Sequence, residues 1–324
     1  MSQLKVVQYD AGHKREWDDF VARAKNGIFL FQRDYMEYHA DRFTDASLLF
    51  FDGGERLVAV LPASLHDDVV SSHGGLTFGG FVTDDRMKVA LMLEAFDAAK
   101  THLRERGAAT FIYKAIPHIY HRVPAEEDLY ALYRHGARLF RRDISSTVWM
   151  QERLPFSKGR RYAAKQAQKR GLRLDRSHDF ATFMAIEEDV LGEKYGTRPV
   201  HTAAEIGMLA ARFPDNIKLF AAYDGETMLA GVIVYESEQV AHAQYISATG
   251  EGKQGGALDL IISHLINEYY AHKKYFDFGS STEDQWRYLN AGLIENKQGF
   301  GGRGVVYDFY EVALAEQLNE SGQL

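Results

Sequence analysis

Two stretches of this chain repeat each other at a fixed offset. Gly54, Glu55, Leu57, Val58 and Ala59 stand 171 positions before Gly225, Glu226, Met228, Leu229 and Ala230. Each set sits where two apolar runs flank a Gly-Gly or Asp-Gly turn, in SLLFFDGGERLVAVLPASL (47–65) and KLFAAYDGETMLAGVIVY (218–235), the pattern of a β-hairpin. The order continues in parallel. In the first half a helical face on Val89, Leu93, Phe96 and Leu103 precedes the strand ATFIYKAIP (109–117). In the second, the strand AHAQYISAT (241–249) leads to a helix burying Leu258, Ile261, Ile262, Leu265 and Tyr269, then to the strand YFDF and a last strand at 305–312. An amphipathic helix on Trp17, Phe20, Val21 and Ala24 opens the chain. The expected fold class is therefore a duplicated α/β (α+β) unit, each copy a mixed, mostly antiparallel sheet with flanking helices. We place the copies at 1–155 and 156–324.

Composition narrows the function. A net charge of −7 argues against a surface coated for DNA or other nonspecific nucleic-acid binding. Absence of Cys excludes disulfides, thiolate metal sites and a cysteine nucleophile. No basic flank precedes an apolar core at the start, and no apolar run nears the roughly 18 residues of a membrane span, so a soluble cytoplasmic protein is expected.

One segment departs from the acidic average. SKGRRYAAKQAQKRGLRLDR (157–176) holds eight basic residues against one acid. It reads as a connecting helix stopped at Gly171. It is either a solvated face or, through Arg160, Arg161 and Lys165, an anion site for a phosphorylated substrate.

The turn GEGKQGG (250–256) lies between strand and helix and satisfies G-x-G-x-x-G, with Asp277 on the next strand. Glycines admit a pyrophosphate to the backbone, and free N–H groups at a helix start receive its charge. Thr249, Gly250, Gly252, Lys253, Gln254, Gly255 and Gly256 are the candidate cofactor contacts. A dinucleotide site needs parallel strands on both sides, whereas hairpins here make the neighbours antiparallel. The arrangement suits an acyl-coenzyme A binder of the GNAT acetyltransferase type. The plain alternative is a glycine turn capping a helix.

The strings YISATGEGKQGGALDLIISHLI, YFDFGSST and LNAGLIENKQGFGG resemble the C-terminal half of FemAB-like proteins of the GNAT superfamily. FLFQRDYMEYH (29–39) and SSHGGLTFGGF (72–81) are similar to their first half. The resemblance implies two tandem GNAT-like folds and transfer of an acyl or aminoacyl group to an amine. The donor would be acetyl-CoA or another acyl-CoA, bound on the C-terminal half. The acceptor would be the amine of an amino sugar or other envelope precursor, nucleotide- or lipid-linked, met by the first half. Members that use aminoacyl-tRNA carry a long helical hairpin in the second domain, for which the basic segment has no room, so tRNA is the less favoured donor.

Three residues are candidates for the chemistry. Lys297 matches the lysine of the family's loop, here NKQGFG, where it would stabilise charge on the donor carbonyl or leaving group. Asp277, in an aromatic strand, is either a base of raised pKa or half of a salt bridge with Arg287 or Arg303. Tyr245 is either core or a proton donor to the leaving group. Ser280 and Asn290 are donor contacts or caps. Tyr35, His73 and Tyr120 would line the acceptor pocket. His118 and His121 lack a third ligand at a diagnostic spacing, so no metal is expected.

Overall fold

The computed structural model describes residues 4–284 and 287–314. The chain forms two compact units that run differently from the division read in the sequence. One comprises the residues up to Arg142 with those from Tyr307 on, the other Asp143–Val306. The expected last strand runs Arg303–Ala313, and its end, Phe309–Ala313, pairs with Thr110–Lys114 of the first unit. Among the described residues no helix is long and apolar enough to cross a membrane.

In the first unit, Lys5–Gln8, Leu48–Phe51, Leu57–Leu61 and Val82–Thr83 form one antiparallel sheet. The hairpin is as the alternation implies, but its left-handed residue is Glu55, at φ 56°, whereas its counterpart in the second unit turns at Gly225, at φ 55°. The strand Val69–Ser71 lies parallel to Thr110–Lys114, and the helix Val89–Glu105 joins them. Phe50, Phe81, Phe96 and Phe111 fill the core between helix and strands.

The second unit has strand order Arg173–Ser177, Ile217–Asp224, Thr227–Glu236, Val240–Ala248, Tyr275–Ser280, followed by the end of Arg138–Trp149. Every pairing is antiparallel except Val240–Ala248 with Tyr275–Ser280. That pair is joined by a crossover of Gly250–Gly255, Ala257–His264 and a π turn at Leu265–Tyr269. A lone parallel pair in an otherwise antiparallel sheet removes the dinucleotide-binding reading. Val232, Ala241, Ala243, Ile261, Leu265 and Phe276 pack the crossover onto one sheet face. Both units are thus mixed sheets with flanking helices. The helices Phe180–Tyr195 and Ala203–Arg212 and the strand Arg138–Trp149 have no forerunner in the sequence reading.

Candidate active site

The parallel pair of the second unit does not stay paired. Val240, Ala241 and His242 oppose Tyr275, Phe276 and Asp277, and there the ladder ends. Both strands carry an irregularity just beyond that point. Gln244 is inserted opposite Ile233 and Val234, and the register to Arg138–Trp149 slips between Asp277 and Ser280, where Gly279 takes φ 74°. Bulges bend and twist a strand, so two at one level part the pair. The ladder therefore has a gap beyond the carboxyl end of its last rung, the place where α/β sheets hold ligands.

Below the gap lies Asp277, fully buried. Its Oδ1 accepts from Ser145 Oγ at 2.5 Å and Thr147 Oγ1 at 2.7 Å, and its Oδ2 lies 2.7 Å from His242 Nδ1. Burial pushes this carboxyl up, but the His242 bond and the two hydroxyls outweigh it and hold the group below the usual carboxylate range. A carboxylate can only accept. His242 Nδ1 therefore carries a proton. No hydrogen bond reaches Nε2 among the described residues, and the imidazole is partly open to solvent.

Lys297 stands on the other side of Gly279. It is 6% exposed, at the end of the helix Ala291–Gln298, and its Nζ donates to the carbonyls of Gly279 (2.9 Å) and Ser280 (2.6 Å). Burial lowers its pKa to about 8, against the opposing pull of Asp277. Gly279 touches both partners, since a Cβ there would lie 3.2 Å from His242 Cε1.

The glycine-rich segment, expected as a turn, is a short helix. Thr249 caps it, accepting from Gly252 N at 3.0 Å, and Gly256 ends it at φ 72°. Most of its glycines serve packing. A Cβ at Gly252 would fall 2.2 Å from the Leu229 carbonyl oxygen, at Gly256 2.6 Å from that of Ala163, and at Gly255 2.6 Å from the Arg170 guanidinium. Gly250 alone among them faces open space, beside exposed Glu251, Lys253 and Gln254. The N–H groups of Gly250 and Glu251 lie in the first turn, where a helix offers no internal acceptor.

Other nominated residues have other duties. Asn290 caps the helix of Lys297, accepting from Leu293 N at 2.8 Å, and Ser280 Oγ meets Thr282 Oγ1 at 2.6 Å. Tyr245 is buried with its Oη 2.7 Å from His201 Nδ1. Arg160 pairs with Asp259 at 3.1 Å and stacks on Phe300, while Arg161 and Lys165 line a separate cavity. In the first unit Tyr35, His73 and Tyr120 are all buried, Tyr35 against Phe29 and Tyr120 against Phe78. Burial lowers the His73 pKa to about 3. The sequence missed His242, Ser145 and Thr147. The only signal was a histidine in a strand that otherwise reads as apolar and a polar Ser-Ser-Thr run after a charged stretch.

The family described as the acetyltransferase (GNAT) domain matches residues 156–288, which hold His242, Asp277 and the glycine helix. No curated protein sequence matches the chain. Among solved structures, FemX shares 12% identity at a TM-score of 0.67, covering 95% of this chain and 97% of that one. The C-terminal domain of a putative lysylphosphatidylglycerol synthetase from Agrobacterium fabrum shares 12% at 0.59, covering 93% and 91%. A tandem GNAT protein from the clavulanic acid biosynthesis pathway shares 11% at 0.50, covering 97% and 99%. At such identities the likeness is one of fold. Residues 156–288 thus match the acetyltransferase (GNAT) domain, within a fold that the chain shares with FemX and the tandem GNAT protein.

Proposed function

We propose that the protein transfers the acyl group of an acyl-coenzyme A, acetyl-CoA first among candidates, to a primary amine of an amino sugar or another cell-envelope precursor. The observation that carries this reading is the gap above Asp277 and His242, inside the segment that matches the GNAT domain. Its edges are strand backbone whose pairing stops at His242, and unpaired strand groups suit the amides of a pantetheine arm. The first turn of the glycine helix would take the donor's pyrophosphate.

The residues divide the work. The amine nitrogen attacks the thioester carbonyl and loses its proton to His242 Nε2, while Asp277 holds the ring and stabilises the imidazolium. The carbon–sulfur bond breaks as the amide forms. Lys297, an ammonium of lowered pKa, stabilises the developing charge and gives its proton to the departing thiolate. The proton taken at nitrogen thus equals the one delivered to sulfur. Lacking cysteine, the chain acylates the acceptor directly. Tyr245, bonded to His201, supports the same sheet face.

The test is calorimetric titration with acetyl-CoA, followed by thiol release in the presence of amino sugars, on the intact chain and on Lys297→Ala. Saturable binding by both proteins with turnover by the parent alone upholds the reading. No heat with acetyl-CoA, or undiminished turnover in the variant, overturns it. An aminoacyl-tRNA donor is the second reading, favoured by the FemX-like fold; charged tRNA replacing acetyl-CoA as the productive donor would select it.

A further inference from the structure

The helix Lys158–Lys169 divides its cations. Arg160 turns inward to Asp259, and just beyond the helix Arg170 reaches Glu251 at 3.1 Å. Arg161 and Lys165, one turn apart on another face, meet no carboxylate among the described residues. They line a cavity of about 460 Å³ between this helix and the C-terminal part of the crossover helix. Ser263, Asn267, Gln168, Arg153, Pro155 and Phe156 also line it. Arg153 is pinned there. Its Nη1 donates to the Ile266 carbonyl at 2.9 Å and to Asn267 Oδ1 at 3.0 Å, which leaves Nε and Nη2 open.

Three cations without a countercharge repel one another, and concentrating them in one concavity of an acidic chain costs free energy unless an anion relieves it. Two guanidiniums and an ammonium supply the directional donors that phosphate oxygens accept. Ser263, Gln168 and Asn267 add neutral polar groups, and Pro155 and Phe156 an apolar wall for the body of a ligand. The volume suits a small molecule. We propose that this cavity is a phosphate-binding site for a phosphorylated small molecule, separate from the gap above Asp277. The phosphate could come from either substrate of the reaction, the 3′-phosphate of coenzyme A or a phosphate on the acceptor.

The test titrates inorganic pyrophosphate into the intact chain at low and moderate salt. It compares the parent, the double variant Arg161→Ala/Lys165→Ala, and Lys158→Ala/Lys169→Ala, which removes two exposed cations of the same helix outside the cavity. The expected result is binding weakened by about tenfold or more in the first double variant, from the lost charge-assisted bonds, with the second unchanged. Equal losses in both, or none in either, overturn the site. Coenzyme A and dephospho-coenzyme A then identify the source. A loss confined to coenzyme A assigns the 3′-phosphate, and indifference of both assigns an acceptor phosphate; either upholds the cavity. Single-stranded RNA that binds more tightly than pyrophosphate and weakens in both double variants would replace it with a polynucleotide stripe. Acetyl-CoA turnover is measured separately, so this site can fail without the proposed reaction failing.

Discussion

Each unit has one parallel strand pair joined by a crossover helix, and the two treat the space beyond that pair in opposite ways. In the first unit the chain after Val69–Ser71 folds back over it. Ser72 N donates to the Ile112 carbonyl, Ser72 Oγ accepts from Lys114 N, and Gly79 N donates to the Lys114 carbonyl. Lys114 then fills the interior, its Nζ donating to the carbonyls of His73 (2.8 Å) and Leu76 (2.6 Å). In the second unit the strands part at two bulges and Lys297 holds one edge. The two lysines are alike in isolation: buried, caged by carbonyls, and lowered by burial to about 8. What differs is the neighbour. Beside Lys297 stands the Asp277–His242 pair, whereas Lys114 Nζ is enclosed by the loop carbonyls of His73, Gly74 and Leu76. The same topology therefore yields a filled pair in one copy and a parted pair in the other.

The largest effect should come from breaking the cleft. Asp277→Asn keeps the shape but no longer enforces a protonated Nδ1 on His242, so thiol release should fall by roughly a hundredfold or more with little change in melting temperature. Lys114→Met should do the reverse. Turnover per folded molecule should hold, while urea unfolding shows a loss of about 2–4 kcal/mol from buried carbonyls left without a donor.

Next come the glycines. Gly252→Ala and Gly80→Ala should each lower stability by about 1–3 kcal/mol. The first meets the Leu229 carbonyl, and the second meets Tyr113 Oη at 2.5 Å with φ at 94°. Gly250→Ala, with nothing within 4 Å, should melt like the parent. Thermal unfolding of the three separates packing glycines from the open one.

A smaller effect is in pH. Both lysines have folded pKa values below the ordinary 10.5, so between about 8 and 10.5 the unfolded chain binds more protons than the folded one. Stability should therefore rise with pH across that window. Lys114→Met should flatten the rise relative to the parent in urea titrations at a series of pH values. The smallest effect belongs to His73, whose pKa near 3 keeps it neutral. Its imidazole resonances should not move between pH 5 and 8.

The duplication was legible because hairpins and crossover helices announce themselves through local alternation and turn residues. Asp277 was legible as an oddity, a carboxylate among aromatics, but its partners were not. Ser145 and Thr147 come from a strand over a hundred residues away whose charged first half, RLFRRD, hides its period. His242 was invisible for a subtler reason. Strict alternation along AHAQYISAT puts His242 and Tyr245 on opposite faces, and only the unpaired Gln244 brings them to the same one. The glycine pattern carries a second reading. Its spacing fits a phosphate cradle, yet at Gly252, Gly255 and Gly256 the missing side chain makes room for the protein itself. Lys297 was legible only through the family resemblance.

One residue has a mechanical role beyond its conformation. Gly279 lies against the His242 ring and offers its carbonyl to Lys297. The imidazole and the ammonium are thus gauged from a single peptide unit. Any ligand that presses on that unit shifts both together, so the cleft cannot detune one without the other.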